Sequence, residues 1–335
     1  MVDITSIRNT LSASVIQLRT LDWMKVDIDS MSYGNNAVTA RCKLPDREGW
    51  YLVKCYFRPK HHLAAIYGDS YLPKELGVYT IQGNIEYIDI VLLPWVEGHP
   101  LDSIIGSDNA DYASLSRSFD RLARTLLDSD GAHGDIKPEN IIVTADGQMV
   151  TIDHDASWSS KLNGTTTEEI GTPIYCHPRN YDIGGRHRSA DDFPIALISI
   201  ALAALSIDRE AMQGYIKEDK SLFDPAAVVS GTDIAMNRAI EIFSQSGDAA
   251  HYRIASALKG CYPTIYGLGD WLRFVESPPV TEIPLAAEIE ALHTYWGYRM
   301  DDRWVVPPLY DDCISQGDNK VMLILGEQSR IVPRR

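Results

Sequence analysis

Residues 133–143 read His-Gly-Asp-Ile-Lys-Pro-Glu-Asn-Ile-Ile-Val, and residues 152–155 read Ile-Asp-His-Asp. Asp135 and Asn140 lie five residues apart on one polar loop, and Asp153 follows thirteen residues after Asn140. Between them stand an apolar run, Ile141–Val143, and a turn, Ala145-Asp146-Gly147. That order predicts a hairpin that folds Asp153 back beside Asn140. Two carboxylates, an amide and the ammonium of Lys137 then stand at spacings suited to gripping magnesium and a nucleoside triphosphate.

These residue types match what phosphoryl transfer requires. The reaction leaves a protein little covalent work, so catalysis is mostly positioning and charge neutralisation. Magnesium takes hard oxygen ligands, and one or two side chains plus phosphate oxygens suffice. Asn140 and Asp153 supply such ligands, Asp135 can take the proton of an attacking hydroxyl, and Lys137 offsets charge on the moving group.

The stretch resembles the catalytic loop and metal-binding segment of the eukaryotic-type protein kinase superfamily. The resemblance spans roughly residues 20–275 and is densest between 133 and 196. Its most specific element is the run Asp135-x-Lys137-Pro138-x-Asn140, worded as in serine/threonine kinases. It implies an α+β, two-lobed fold, with a small β-rich lobe over about 21–95 and a large helical lobe over about 96–275. The activity it implies is transfer of the γ-phosphoryl group of ATP to a serine or threonine hydroxyl of a protein substrate, with ATP and Mg2+ as cofactors.

Other parts arrive in the order the resemblance calls for. Trp50, Leu52 with Val53, and Tyr56 read as a strand, and Lys54 within it is the candidate phosphate-pairing lysine. Residues 90–93 form a buried-strand run. Pro94-Trp95-Val96-Glu97-Gly98 then looks like the hinge between lobes, whose backbone at Pro94, Trp95 and Val96 would bond an adenine edge. Leu101 and Ile104 begin a helix. Gly171-Thr172-Pro173-Ile174-Tyr175-Cys176-His177-Pro178 resembles the end of an activation segment, and the resemblance makes Thr172 a bridge between Asp135 and Lys137. Asp191 opens the apolar run 195–205, a central buried helix. A carboxylate at that N-terminus can cap backbone donors, and in the family it holds the catalytic loop's backbone.

Several positions depart from the family. The glycine-rich phosphate loop is replaced by Ser32-Tyr33-Gly34-Asn35-Asn36-Ala37, with one glycine. His154 and Asp155 stand where Phe and Gly are usual, Gly134 where many kinases carry arginine, and Arg179 where a glutamate would pair with Arg253. The carboxylate partner of Lys54 is left between two residues. The expected small-lobe helix at 58–71 contains no glutamate. Asp69 lies near its end, and Glu75, placed ahead of it, begins the next strand, 76–81.

Two rival functions remain open on the sequence. A pseudokinase scaffold would use the same lobes only to bind partner proteins. Aminoglycoside- and choline-kinase-like enzymes, which phosphorylate small molecules, also share His133-Gly134-Asp135 and Ile152-Asp153-x-Asp155. Lys137-Pro138-Glu139 and the 171–178 segment favour the protein kinase reading.

The chain's net charge of -15 argues against nucleic-acid or anionic-membrane partners. Its five cysteines (Cys42, Cys55, Cys176, Cys261, Cys313) show no metal-ligand spacing, and an odd, scattered set suits a reducing cytoplasm. The pattern of Ile4, Ile7, Leu11, Val15 and Leu18 predicts an amphipathic helix over about 1–20 rather than a signal peptide. The apolar run 195–207 is shorter than a membrane span needs.

Past the large lobe, Ser277-Pro278-Pro279 reads as a break, giving a linker and short helix over 276–295. Trp296-Gly297-Tyr298-Arg299 and Asp302-Arg303-Trp304-Val305-Val306-Pro307-Pro308-Leu309-Tyr310-Asp311-Asp312 resemble WG repeats, implying a small C-terminal β module over 296–335. A single repeat cannot bury its own apolar face, so the module is expected to dock on the kinase body or on a partner protein. Trp296 and Trp304 are expected to pack its core.

Overall fold

A computed structural model describes residues 2–60, 62–80, 82–162, 171–178 and 187–259, and the strands within 298–333. The chain is α+β and divides into two compact units, Met1–Glu97 and Gly98–Arg335.

The first unit is a six-stranded antiparallel sheet with two short helices. In chain order it runs α1 (Ile4–Leu11), β1 (Gln17–Leu18), β2 (Lys25–Tyr33), β3 (Ala37–Lys43), β4 (Tyr51–Tyr56), α2 (Leu63–Tyr67), β5 (Tyr71–Tyr79) and β6 (Ile85–Pro94). The strands lie in the order β1-β5-β6-β4-β3-β2. Alternation decides the faces. Val38, Ala40, Cys42, Val53, Cys55, Ile88, Ile90 and Leu92 point to one side and pack with Ile7 and Leu11 of α1. Ala37, Tyr56 and Val91 point to the other and pack with Leu63 of α2.

The expected N-terminal helix over 1–20 is shorter than the pattern suggested. Asp3 caps it through a 2.7 Å bond from the Ser6 N–H, and it ends at Leu11, before Ser12-Ala13-Ser14. Val15 is exposed, and Leu18 pairs with Leu76 in the sheet instead. Eight residues are too few for a stable free helix. Full burial of Ile7 and Leu11, about 1.5–3 kcal/mol each, holds it in place. The helix expected at 58–71 likewise shrinks to the five residues of α2, and the strand expected from 76 begins at Tyr71.

The second unit is mainly helical. It opens with β7 (His99–Pro100), α3 (Leu101–Ile104), α4 (Tyr112–Asp128), β8 (Ile141–Val143) and β9 (Met149–Thr151), the three strands forming one small antiparallel sheet. Then follow α5 (Asp192–Ile207), α6 (Arg209–Gln213), α7 (Pro225–Val229), α8 (Ile234–Ser246) and α9 (Ala249–Leu258). Helix α5 is apolar on every side and buried from Asp192 to Leu205, so it is the axis on which α4, α8 and α9 pack. Five aspartates work as caps. Asp111, Asp208, Asp224, Asp233 and Asp248 each accept a main-chain N–H of the first turn of α4, α6, α7, α8 and α9.

Within the C-terminal β range, β10 (Tyr298–Met300) pairs with β11 (Arg303–Val305), and β12 (Lys320–Leu325) with β13 (Gln328–Pro333). Trp296, the 276–295 linker, the 306–319 stretch, Cys261 and Cys313 lie outside the described residues. Among the described residues no helix is long and apolar enough to cross a membrane.

Candidate functional site

The polar loop after α4 is shaped by glycine and by a buried aspartate. Gly134 has φ +82°, and a Cβ there would run into the carbonyl oxygen of Ala156. A side chain is excluded by that close approach, which explains why no arginine stands at this position. Asp191 lies at the entrance to α5 but makes no side-chain cap to its own helix. Its two carboxylate oxygens accept the N–H groups of His133 at 2.6 Å and Gly134 at 2.8 Å. The capping expectation is corrected, and the backbone-holding role that the resemblance implied is the one observed. Burial pushes the Asp191 carboxyl up to about 6, against the pull of the two N–H donors.

His133 is a neutral strut. Burial, reinforced by the neighbouring His154 ring 4.6 Å away, lowers it to about 4. Its Nδ1 accepts the Asp135 N–H at 3.3 Å, which leaves the proton on Nε2 to donate to the Ile152 carbonyl at 2.9 Å. One ring thus ties the residue before Asp153 to the backbone of Asp135.

Around Asp135 three expected residues converge. Thr172 Oγ1 donates to Asp135 Oδ1 at 2.7 Å, and Asn140 Nδ2 donates to Asp135 Oδ2 at 3.0 Å and to its carbonyl at 2.9 Å. Lys137 Nζ lies 3.5 Å from Asp135 Oδ2 and 3.1 Å from Glu139. Burial works against the Lys137 charge, but Asp135 and then Glu139 outweigh it and hold its pKa above the ordinary lysine value. Glu139 was not foreseen as a partner; its position two residues past the lysine was the available signal. Gly171 is needed beside Thr172, since a Cβ there would lie 2.8 Å from the Gly134 carbonyl and 2.6 Å from the Cys176 sulfur.

The hairpin does bring Asp153 back. Ile141 pairs with Thr151, and the Ile152 N–H donates to the Asn140 carbonyl at 2.9 Å. Asp153 itself has φ 64° and ψ 65°, a left-handed conformation that costs a non-glycine residue about 1–3 kcal/mol and clusters at functional sites.

These residues suit a magnesium ion. Asn140 spends its Nδ2 on Asp135, which leaves its side-chain Oδ1 as the atom that could meet a hard cation, and Asp153 would add a carboxylate. Among the described residues no group of three or more His, Cys, Asp or Glu side chains is placed to hold a metal. An amide and one carboxylate with phosphate oxygens is the sparser donor set that magnesium favours.

The first unit holds the remaining candidates. Lys54 is 8% exposed in β4, opposite Thr39 and Val91, with its Nζ 5.4 Å from the Tyr56 ring. Glu75 sits inside β5 with other partners. Its carboxylate accepts the N–H groups of Arg19, Thr20 and Leu21 and the Thr20 hydroxyl at 2.7–3.1 Å, fastening the segment after β1. Asp69 is exposed in a single 3-10 turn. At the hinge Pro94 has no N–H, and the Trp95 N–H is committed to the Trp50 carbonyl at 2.9 Å. Among the described residues that leaves Val96 as the one of the three with an uncommitted N–H, the donor that a base edge would need, beside the main-chain carbonyls of the segment. The single-glycine loop is a tight turn, closed by Gly34 N–H to the Ala37 carbonyl at 2.9 Å. Arg179 lies outside the described residues, while Arg253 is in α9.

No protein-family model matches this chain, and no curated protein matches it.

Proposed function

We propose that the chain is a divergent protein kinase-like phosphotransferase that moves the γ-phosphoryl group of ATP to a serine or threonine hydroxyl. The observation that carries this reading is the ring of contacts on Asp135. Thr172, Lys137 and Asn140 all bond its carboxylate, and the hairpin returns Asp153 beside Asn140. A small antiparallel sheet bearing a buried lysine, followed by a helical unit around one apolar helix, supports the two-lobed kinase-like arrangement.

In this reading Asp135 accepts the proton of the attacking hydroxyl as its oxygen bonds to the γ-phosphorus and the bond to the β,γ-bridging oxygen breaks, releasing ADP. Asn140 and Thr172 hold the carboxylate in one orientation, so no reorganisation is needed as charge shifts. Lys137 offsets charge on the transferring oxygens, with Glu139 keeping it protonated and directed. Asn140 and Asp153 would hold magnesium, which when bound neutralises triphosphate charge. Lys54 would pair with phosphate oxygens and Val96 with the base.

The test is direct. Purified protein is given labelled ATP with magnesium and assayed for self-phosphorylation and for transfer to generic protein and small-molecule acceptors, beside Asp135→Asn. Transfer to protein that disappears in the variant supports the reading. Transfer only to small hydroxyl compounds would replace it with a metabolite kinase, and no magnesium-dependent ATP binding at all would replace it with a scaffold.

A further inference from the structure

Where β6 ends, the first unit carries a group of side chains that the site described above does not use. Arg41 of β3 lies in register between Asp27 of β2 and Leu52 of β4. Because Val38, Ala40 and Cys42 face the core under α1, alternation puts Arg41 on the opposite face, which Lys54 and Tyr56 share. Its Nη2 and Nε donate to Asp27 Oδ2 at 2.7 and 3.2 Å. The guanidinium carbon stands 4.3 Å from the centre of the Trp50 ring and 5.7 Å from that of Trp95. Nη1 lies 3.8 Å from Glu97 Oε1.

One cation therefore reaches Asp27 of β2, Trp50 at the entrance to β4, and Trp95 and Glu97 of the hinge segment. Trp50 and Trp95 are already joined by their main-chain bond, and Tyr51 pairs with Pro94. A lone surface ion pair would restrain little. A planar guanidinium set against two indoles while two of its N–H groups share one carboxylate oxygen has few other orientations open to it. Lysine offers no such plane; Lys43 Nζ stands 4.8 Å from the Trp50 ring centre as a point charge.

We infer that Arg41 is a positioning residue for the nucleotide base: it fixes residues 94–97 so that the Val96 amide stands ready before a base arrives. This rests on the phosphotransferase reading. Pre-setting a donor lowers the ordering cost of binding, so its loss appears in affinity for the nucleotide and not in the transfer step.

The experiment compares the full chain with Arg41→Met, Arg41→Lys and Arg47→Met. Methionine keeps an aliphatic stem and removes the charged plane. Arg47 serves as control, since its guanidinium sits 5.4 Å from the Tyr51 ring and makes no ion pair or ring contact with residues 94–98 among the described residues. Arg41→Met is expected to raise KM for ATP about tenfold while kcat stays within about twofold. Arg41→Lys should fall between, and Arg47→Met should match the parent. Hydrogen exchange should quicken at the Trp95 amide in Arg41→Met but not at Val53 or Ile90. Unchanged KM in Arg41→Met, or a fall in kcat alone, overturns the inference while leaving the phosphotransferase reading intact. A parent chain that binds no ATP brings down both.

Discussion

Thr172 Oγ1 donates a 2.7 Å hydrogen bond to Asp135 Oδ1 across 37 positions of sequence. With Asn140 on the other oxygen, the carboxylate is held at both ends. Asp135→Asn is expected to lower phosphoryl transfer by about 10²–10⁴-fold, the usual worth of a positioned base. Thr172→Val should cost about tenfold in kcat, or about 1.4 kcal/mol, with KM for ATP little changed. Initial rates at saturating ATP check both; equal rates in Asp135→Asn and parent would remove Asp135 from the chemistry.

In the proposed site Asp153 and Asn140 would share one cation. Asp153→Asn should move the magnesium dependence of ATP binding upward by about tenfold or more, while the thermal midpoint without nucleotide stays near the parent's. Titrating magnesium at fixed ATP checks this, and an unmoved curve would take Asp153 out of the metal site.

Asp191 links the loop to the central helix and titrates in an unusual range. Its folded value is about 6 against an ordinary 3.8, so between those values the folded chain keeps a proton that the unfolded chain loses. The sign is therefore stabilising at low pH. The Asp191 contribution is full below about pH 4, falls as pH rises toward 6 and is flat above, a change of up to about 3 kcal/mol. In Asp191→Asn that slope should be absent. Urea midpoints of parent and variant at pH 4.5 and pH 7 measure it, and parallel midpoints would refute the assignment.

A second, half-buried network crosses the helical unit. His251 Nδ1 lies 2.7 Å from Asp248, His251 Nε2 lies 3.1 Å from Ser199 Oγ, and Ser199 Oγ donates to Asp120 at 3.0 Å. Burial opposes the His251 charge, yet the bond and charge of Asp248, with Asp120 behind Ser199, raise its pKa above 6.5. A raised histidine stabilises fully below its unfolded value and loses that contribution as pH climbs through the folded one. His251→Gln should thus cost about 2 kcal/mol at pH 6 and less at pH 9. Denaturation at both values tests this; a cost that grows with pH would contradict it.

Gly134 cannot be replaced by the arginine common in protein kinases. Its φ of +82° and the Ala156 carbonyl beside it make Gly134→Arg, and even Gly134→Ala, destabilising by about 3 kcal/mol or more. Thermal midpoints decide this, and a variant as stable as the parent would show the loop to be freer than described.

Local pattern made the hairpin, the buried strand around Lys54 and the apolar α5 legible, because each rests on alternation or continuous hydrophobicity within a few residues. Helix length was less legible. The apolar spacing of Ile4 to Leu18 fits a helix, but Leu18 pairs with Leu76 in the sheet, a partner 58 positions away that local spacing cannot reveal. The partners of Glu75, expected to include Lys54, were invisible for the same reason, since they are main-chain donors of residues 19–21 brought near by β1.

What the residues alone settled were the chemical groups: which oxygens, amides and ammonium stand at kinase-like spacings, and which runs must be buried. Tertiary structure decided their partners. Asp191 turned from its own helix to the loop, Glu139 took up Lys137, and Arg41 came against two indoles. Hydrophobic burial is read from a residue and its near neighbours, whereas a hydrogen bond or ion pair is satisfied by whatever the fold carries within about 3 Å.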